Sequence, residues 1–257
     1  MEEYIGVLDS GVGGLSVLKE LFGVMPDENY IYFGDTKNIP YGTKTKDELC
    51  FFTKKILDFF VSKNVKTVVF GCNTTSAVAY DELKKDFDDK LTIFPLIQTV
   101  AYDIQKDLKD NDTVAILATK ATTNSNKYAI EIKKYNSTIK TTGIDCTGFT
   151  EIVENRLYED KSSIDLIKSK LNLIKDASRV VLGCTHYPYL VNIFKKYLKT
   201  DYYNPAINLA KIVKNSKKPN PNGKGSIDFY VTKDPFEFKQ SAKLFMDINQ
   251  DIKLIKL

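Results

Sequence analysis

Two segments of the chain repeat one pattern, in which an apolar strand leads into Gly-Cys, hydroxyl or amide side chains follow, and a helical pattern begins. They are residues 68–76 and 180–188, with cysteines at Cys72 and Cys184. Strand–loop–helix units of this kind build α/β folds with mostly parallel sheets. Ligands of such sheets bind outside the carboxyl ends of the strands. Both cysteines are predicted there, where two thiols in equivalent positions of similar halves can face one substrate from opposite sides.

The rest of the chain favours the same architecture, because short apolar runs alternate with amphipathic helical patterns. Strands are predicted at residues 4–8, 29–33, 65–70, 92–97, 113–118, 138–145, 179–183 and 226–231. Helices are predicted near residues 14–24, 45–62, 75–88, 99–109, 122–135, 148–158, 162–175, 189–198, 205–215 and 235–247. Asp9 precedes Cys72 by 63 residues, and Thr119 precedes Cys184 by 65, which indicates a faint internal repeat. We therefore expect two similar Rossmann-like (flavodoxin-like) domains with the active site in the cleft between them. The predicted domains are residues 1–96 with 206–257, and residues 97–205, with a linker near residues 95–99.

Composition excludes several classes of protein. A formal net charge of +4 over 257 residues is too small to indicate a nucleic-acid partner. No apolar run approaches the roughly 18 residues of a membrane span, and the N-terminus shows no secretory signal, so a cytoplasmic protein is expected. The four cysteines lack C-x-x-C spacing, which argues against a zinc or thioredoxin-like site and favours free thiols.

A glycine-rich turn at residues 9–14 follows the first strand and opens a helix. Such a turn suits close approach of a ligand, and a dinucleotide site is the obvious alternative. The spacing is G-x-G-G rather than G-x-G-x-x-G, however, and no acidic residue stands in good position about 20 residues on. Asp9 is instead expected to orient a nearby thiol or a substrate ammonium group. The Pro40-Tyr41-Gly42 turn after the second strand offers exposed N–H groups, although an ordinary loop has the same pattern.

His186 is the single histidine of the chain and lies two residues after Cys184. A lone histidine is often structural, but an imidazole beside a thiol can help to remove or return its proton. The position on a loop that enters a helix favours this functional interpretation.

Together these motifs resemble glutamate racemase, of the cofactor-independent aspartate/glutamate racemase superfamily. The resemblance covers nearly the whole chain, and the order and spacing of the two cysteine motifs make it specific. Gly71 and Thr75 replace the alanines usual around the first cysteine, which affects pocket details only. The matching stretches are residues 7–18, 32–36, 40–42, 71–74, 118–128, 182–188 and 229–232.

The resemblance implies a 1,1-proton transfer at the α-carbon of glutamate, without pyridoxal phosphate, another cofactor or a metal. Cys184 would deprotonate L-glutamate while Cys72 protonates the opposite face, with the roles exchanged for D-glutamate. Asp9 would assist Cys72, His186 would assist Cys184, and Glu154 is a supporting carboxylate. The substrate-binding residues implied by the resemblance are Asp9, Ser10, Pro40, Tyr41, Gly42, Asn73, Thr74, Thr119, Thr122, Thr185 and His186.

The resemblance also implies a homodimer that supplies D-glutamate for peptidoglycan synthesis, with the small-molecule substrate as its other partner. Three alternatives remain open at this point. They are a racemase acting on aspartate or another amino acid, a Cys-His hydrolase or acyltransferase that uses Cys184 alone, and a non-catalytic carboxylate-binding protein on the same fold.

Overall fold

The computed structural model describes residues 3–256, which form two parallel β-sheets covered by helices. The strands are β1 (Tyr4–Asp9), β2 (Asn29–Gly34), β3 (Thr67–Phe70), β4 (Thr92–Pro95), β5 (Thr113–Ala118), β6 (Lys140–Asp145), β7 (Arg179–Gly183), β8 (Asp201–Tyr203), β9 (Ile227–Val231) and β10 (Ile252–Leu254). The helices are α1 (Leu15–Val24), α2 (Lys46–Ser62), α3 (Asn73–Val78), α4 (Tyr80–Phe87), α5 (Leu96–Gln105), α6 (Lys120–Asn124), α7 (Lys127–Lys133), α8 (Phe149–Glu154), α9 (Lys161–Leu171), α10 (Val191–Tyr197), α11 (Pro205–Ser216) and α12 (Pro235–Ala242). Short 3₁₀ turns occur at Tyr41–Thr43, Asn172–Ile174 and Tyr187–Leu190.

The two sheets share one strand order. The first sheet runs β10-β9-β2-β1-β3-β4, and the second runs β6-β5-β7-β8. Within the first, β2-β1-β3-β4 therefore corresponds strand for strand to β6-β5-β7-β8, and all of these pairings are parallel. The predicted α/β fold of two similar Rossmann-like halves is confirmed. The boundaries at residues 96/97 and 205/206 remain a prediction.

The strands that lead to the two cysteines are central and buried. β3 and β7 are buried at every position, and β1 and β5 are buried except at their first residue. Strands covered by helices on both faces have near-continuous apolar sequences, which is why these four were predictable. The edge strands β8 and β10 were not predicted, because each has only three residues and its side chains are partly or largely exposed.

Three details differ from the sequence-based expectation. The predicted linker near residues 95–99 is wrong, because β4 ends at Pro95 and α5 begins at once with core residues Leu96 and Ile97. A single helix predicted near residues 75–88 is two helices, α3 and α4, separated at Ala79. Another predicted near 122–135 is divided between α6 and α7 by Asn126, whose φ of 53° is left-handed and is tolerated by asparagine.

Helix α11 connects the two halves, since it packs against α1 and also against α5. The larger apolar core runs through both halves and includes residues from β1, β5 and α11. No helix within residues 3–256 combines the length and the apolar character needed to cross a bilayer.

The helix that follows the Pro40-Tyr41-Gly42 turn begins with a capping box. The Thr45 hydroxyl accepts a hydrogen bond from the Glu48 N–H, and the Glu48 carboxylate accepts one from the Thr45 N–H. We expect Thr45→Ala to lower the free energy of unfolding by about 1 kcal/mol, as loss of an N-cap usually does. Urea denaturation measures this, with Thr45→Ser as the control that keeps the cap. Equal stability of the alanine and serine variants would contradict the assignment.

Candidate active site

The two cysteines occupy equivalent places at the carboxyl ends of β3 and β7. Cys72 is the N-cap of α3, and its sulfur accepts a hydrogen bond from the Thr75 N–H at 3.4 Å. Cys184 directly follows β7, and both thiols are buried. Burial first, and then the Asp9 carboxylate, raises the pKa of Cys72 to about 12; charge on Cys184 adds a smaller effect in the same direction. The two thiols therefore occupy corresponding strand ends, and a charge on Cys184 acts on Cys72.

Asp9 ends β1 next to this site and is 2% exposed. Burial raises the pKa of Asp9, while N–H groups of Gly11 and Gly14 and the nearby His186 partly offset that rise. The Gly11 N–H donates to the Asp9 carboxylate at 2.9 Å. Position 14 admits only glycine, because a β-carbon there would lie 2.9 Å from the Asp9 carboxyl carbon. The glycine-rich turn thus folds around a carboxylate of its own chain, which disfavours a phosphate site.

His186 links Cys184 to Glu154. Its Nδ1 lies 3.8 Å from the Cys184 sulfur, and its Nε2 lies 2.8 Å from a carboxylate oxygen of Glu154 on α8. Burial lowers the pKa of His186, but the hydrogen bonds to Cys184 and then to Glu154 outweigh it and raise the pKa to about 10. The imidazole is therefore cationic at neutral pH. The side chain of Glu154 is 41% exposed, so the chain Cys184–His186–Glu154 leads from the buried sulfur to solvent.

The Pro40-Tyr41-Gly42 turn reaches from the first half to the second. Tyr41 is buried in a small cluster with Leu49 and Cys72. A β-carbon on Gly42 would lie 3.0 Å from the Thr119 side chain, so the turn touches the end of β5. Pro40 is exposed and shapes the turn rather than lining the buried site.

Sequence reasoning missed the residue that holds this turn. The buried carboxylate of Asp35 accepts hydrogen bonds from the Tyr41 hydroxyl at 2.6 Å, from the Thr232 hydroxyl at 2.7 Å, and from the Asn38 amide. The available signal was an aspartate at the carboxyl end of a strand, since Asp35 directly follows β2 and Asp9 ends β1. Thr232 comes from the far C-terminal part of the chain, and no local pattern indicates that contact.

Three predicted threonines form a cluster across the cleft. The Thr74 hydroxyl on α3 lies 3.0 Å from that of Thr119 and 3.3 Å from that of Thr122. The Thr119 hydroxyl donates to that of Thr122 at 3.1 Å and also accepts the Thr122 N–H as the cap of α6. Thr119 and Thr122 thus have a structural role in addition to the predicted one.

The remaining predicted residues lie around the two cysteines. Ser10 is half-buried directly after Asp9. Asn73 is buried, and its Oδ1 accepts a hydrogen bond from the Tyr128 hydroxyl at 2.6 Å. Thr185 is buried, its carbonyl accepts the Ser16 hydroxyl at 3.1 Å, and a side chain at Gly13 would collide with it and with His186. Within residues 3–256, no cluster of three or more His, Cys, Asp or Glu side chains is arranged to hold a metal ion.

Comparisons with known proteins agree on one family. The Asp/Glu/Hydantoin racemase family matches residues 7–212. "Glutamate racemase 2" of Caldanaerobacter subterraneus is 38% identical over 250 residues, which cover 94% of this chain and 92% of that protein. The glutamate racemase of Fusobacterium nucleatum is 37% identical over 253 residues, covering 94% and 93%.

Solved structures agree with the sequence matches. The crystal structure of glutamate racemase from Francisella tularensis in complex with D-glutamate superposes with a TM-score of 0.90 at 30% identity, covering 99% of this chain and 98% of that one. The Thermus thermophilus enzyme in complex with β-chloro-D-alanine gives a TM-score of 0.89 at 29% identity, covering 100% and 98%.

The single histidine makes its protonation directly measurable. We expect the His186 ring signals, followed by NMR, to titrate with a midpoint near 10 rather than near the ordinary 6.5. Because the pKa is raised in the folded state, the contribution of His186 to stability is complete below about pH 6.5 and is lost as the pH rises towards 10. Glu154→Gln should lower the midpoint, and Cys184→Ala should lower it too.

Glu151→Gln is the matched control for this titration, since Glu151 is an exposed carboxylate on the same helix. It should leave the midpoint unchanged. A wild-type midpoint near 6.5 would contradict the arrangement described for Cys184, His186 and Glu154.

Proposed function

The chain belongs to the Asp/Glu/Hydantoin racemase family, and we propose that it interconverts L-glutamate and D-glutamate through proton transfers by Cys72 and Cys184. The observation that carries this proposal is the placement of two buried thiols at equivalent strand ends of two similar sheets. Two such groups can remove and return a proton at opposite faces of one α-carbon. A reaction that used Cys184 alone would leave Cys72 and its matching motif without a role.

Glutamate is the proposed substrate because of the relatives. Proteins named glutamate racemase match more than nine-tenths of this chain at 37–38% identity. The Francisella structure, which shares the fold over 99% of this chain, was determined in complex with D-glutamate. We therefore propose glutamate as the ligand of the site around Cys72 and Cys184 described above.

Conversion of L-glutamate begins at Cys184. In the proposed mechanism Cys184 acts as a thiolate base, and the cationic imidazole of His186 lies 3.8 Å from its sulfur, next to the negative charge of that form. The Cα–H bond breaks, an S–H bond forms on Cys184, and the electron pair of the broken bond delocalises into the α-carboxylate. Cys72, whose raised pKa keeps it protonated at neutral pH, then gives its proton to the opposite face and is left as a thiolate.

The reverse reaction requires the thiolate form of Cys72, which burial and Asp9 disfavour. Asp9 is the group proposed to accept the Cys72 proton, since burial raises the pKa of its carboxyl and makes it a stronger base than a surface aspartate. The S–H bond of Cys72 breaks and an O–H bond forms on Asp9. Cys184 takes a proton from the His186 imidazolium, so that an N–H bond breaks and an S–H bond forms. Cys72 then removes the α-proton of D-glutamate, and Cys184 gives its proton to the other face.

The polar groups around the thiols are proposed to hold the substrate. Asp9 and Ser10 suit its ammonium group, and the hydroxyls and amide of Asn73, Thr74 and Thr185 suit its carboxylates. The N–H groups of Tyr41 and Gly42, with Thr119 and Thr122, complete the list of proposed contacts. Donors fixed in a buried cleft stabilise charge that develops on the substrate without having to reorient, which is the largest usual contribution to such catalysis.

Several wider features form part of the proposal. The two thiols account for both proton transfers, so the proposal includes no cofactor. Both must stay reduced, and the four cysteines of the described chain are unpaired, which supports a reducing compartment such as the cytoplasm. The product D-glutamate would supply peptidoglycan synthesis.

The proposed homodimer is tested by sedimentation, and the exposed ring pair Tyr102–Tyr135 offers one apolar surface for contact.

Incubation of L-glutamate in D₂O with no added cofactor tests the proposed function. Chiral separation should give D-glutamate that carries one deuterium at the α-carbon, because the incoming proton comes from a thiol in exchange with solvent. Recovery of L-glutamate alone, without deuterium, would show that the proposal is wrong.

Replacement of either thiol tests the proposed roles. Cys72→Ser and Cys184→Ser should each slow racemisation in both directions by roughly 10²–10⁴-fold, the usual value of a positioned acid or base. Cys50→Ser is the control, since Cys50 is a half-buried thiol on α2 that packs against a different apolar cluster from that of Cys72. Near-normal racemisation by either single-thiol variant, measured by circular dichroism of glutamate, would exclude a mechanism with two thiols.

A further inference from the structure

Tyr128 reaches across the cleft to a residue of the proposed substrate site. It lies on α7 in the second half, is 3% exposed, and donates a hydrogen bond of 2.6 Å to Oδ1 of Asn73. Asn73 begins α3 in the first half, between Cys72 and Thr74. The hydroxyl of one half therefore fixes a side chain of the other half, one residue from a reacting thiol.

The direction of this hydrogen bond decides what Asn73 presents to a ligand. A side-chain amide carries an acceptor oxygen on one side and an N–H₂ donor group on the other. Since Tyr128 occupies the oxygen, the donor group faces away from Tyr128. A carboxylate ligand needs that donor, whereas the reversed amide would place oxygen lone pairs against a negative charge.

We propose that Tyr128 is a positioning residue, which fixes the Asn73 amide so that its N–H₂ group donates to a carboxylate of the substrate. The inference rests on the proposed function, because it takes glutamate as the ligand. It assigns Tyr128 no contact with the reacting atoms. The orienting contact exists only while α7 and α3 lie together, so substrate binding and closure of the cleft depend on the same hydrogen bond.

One ion pair next to Tyr128 joins its helix to the first half, and two more lie along the helix itself. Lys127 pairs with Asp81 on α4, and it also pairs with Glu131 at 2.6 Å. The carboxylate of Glu131 is buried and is further bound by Lys134 at 2.7 Å. This network fixes the first turns of α7, so the Tyr128 hydroxyl is presented to Asn73 by a constrained element rather than by a free side chain.

Tyr128→Phe removes the hydroxyl and keeps the buried ring. We expect KM for both enantiomers to rise about tenfold with kcat little changed, since one hydrogen bond is lost equally from bound substrate and transition state. The dissociation constant, measured by calorimetry with racemic glutamate so that turnover leaves the composition unchanged, should rise by the same factor. Unchanged KM and dissociation constant would overturn the proposal.

A double-mutant cycle separates positioning from general loss of structure. If Tyr128 acts through Asn73, Tyr128→Phe should have almost no further effect on KM in a protein that already carries Asn73→Ala. Full additivity of the two effects would overturn the proposal. Tyr30→Phe is the matched control, because Tyr30 is a fully buried tyrosine whose hydroxyl donates to the Leu21 and Met25 carbonyls. It should lower thermal stability and leave KM unchanged.

Asn73→Asp tests the orientation of the amide without any change at Tyr128. The aspartate keeps an acceptor for the Tyr128 hydroxyl but replaces the donor group by an oxygen, so the affinity for glutamate should fall more than tenfold. Affinity equal to the wild type would overturn the inference, even if Tyr128→Phe proved unstable. Calorimetry also separates the two proposals. If the wild-type protein binds glutamate but does not racemise it, the proposed function is wrong. The effect of Tyr128→Phe on the dissociation constant still tests the role of Tyr128 in that case.

Discussion

Exclusion of water from the space around the two sulfur atoms is the constraint on which the site depends. In a buried site a charge is stabilised by its protein neighbours or not at all, because bulk solvent cannot reach it. Cys184 has a cationic imidazole at 3.8 Å, while Cys72 has a buried carboxylate as its neighbour. Two chemically identical side chains therefore have neighbours of opposite charge.

The two halves share one strand arrangement, but they differ in the charged residues at the strand ends. The strand order around β1 and β3 matches that around β5 and β7, so the two cysteines occupy corresponding positions. The end of β1 carries Asp9, but the corresponding end of β5 carries Ala118, and the residue two places after Cys184 is His186 where the first motif has Thr74. In the proposed mechanism this symmetric scaffold supplies the geometry for two faces of one carbon, and the different residues at a few strand ends supply the difference between an acid and a base.

Much of the fold was predictable because buried parallel strands are read directly from continuous apolar runs. All eight strands expected from the sequence are present, and the cysteines lie at the strand ends where the Gly-Cys motifs placed them. The three-residue strands β8 and β10 are too short to show a pattern, and the breaks at Ala79 and Asn126 interrupt helices whose periodicity continues across them. Contacts between distant segments, such as Thr232 with Asp35 or Tyr128 with Asn73, have no local signal and needed the structure.

The two ends of the site differ in their access to bulk water. Glu154 is partly exposed and joins the buried imidazole of His186 to solvent, whereas Asp9 on the other side is 2% exposed and enclosed by its own turn. In the proposed mechanism, a hydrogen isotope captured by Cys184 therefore has a relay along which it can exchange with solvent, while one captured by Cys72 is retained longer. An isotope taken from D-glutamate would therefore stay on the protein longer than one taken from L-glutamate.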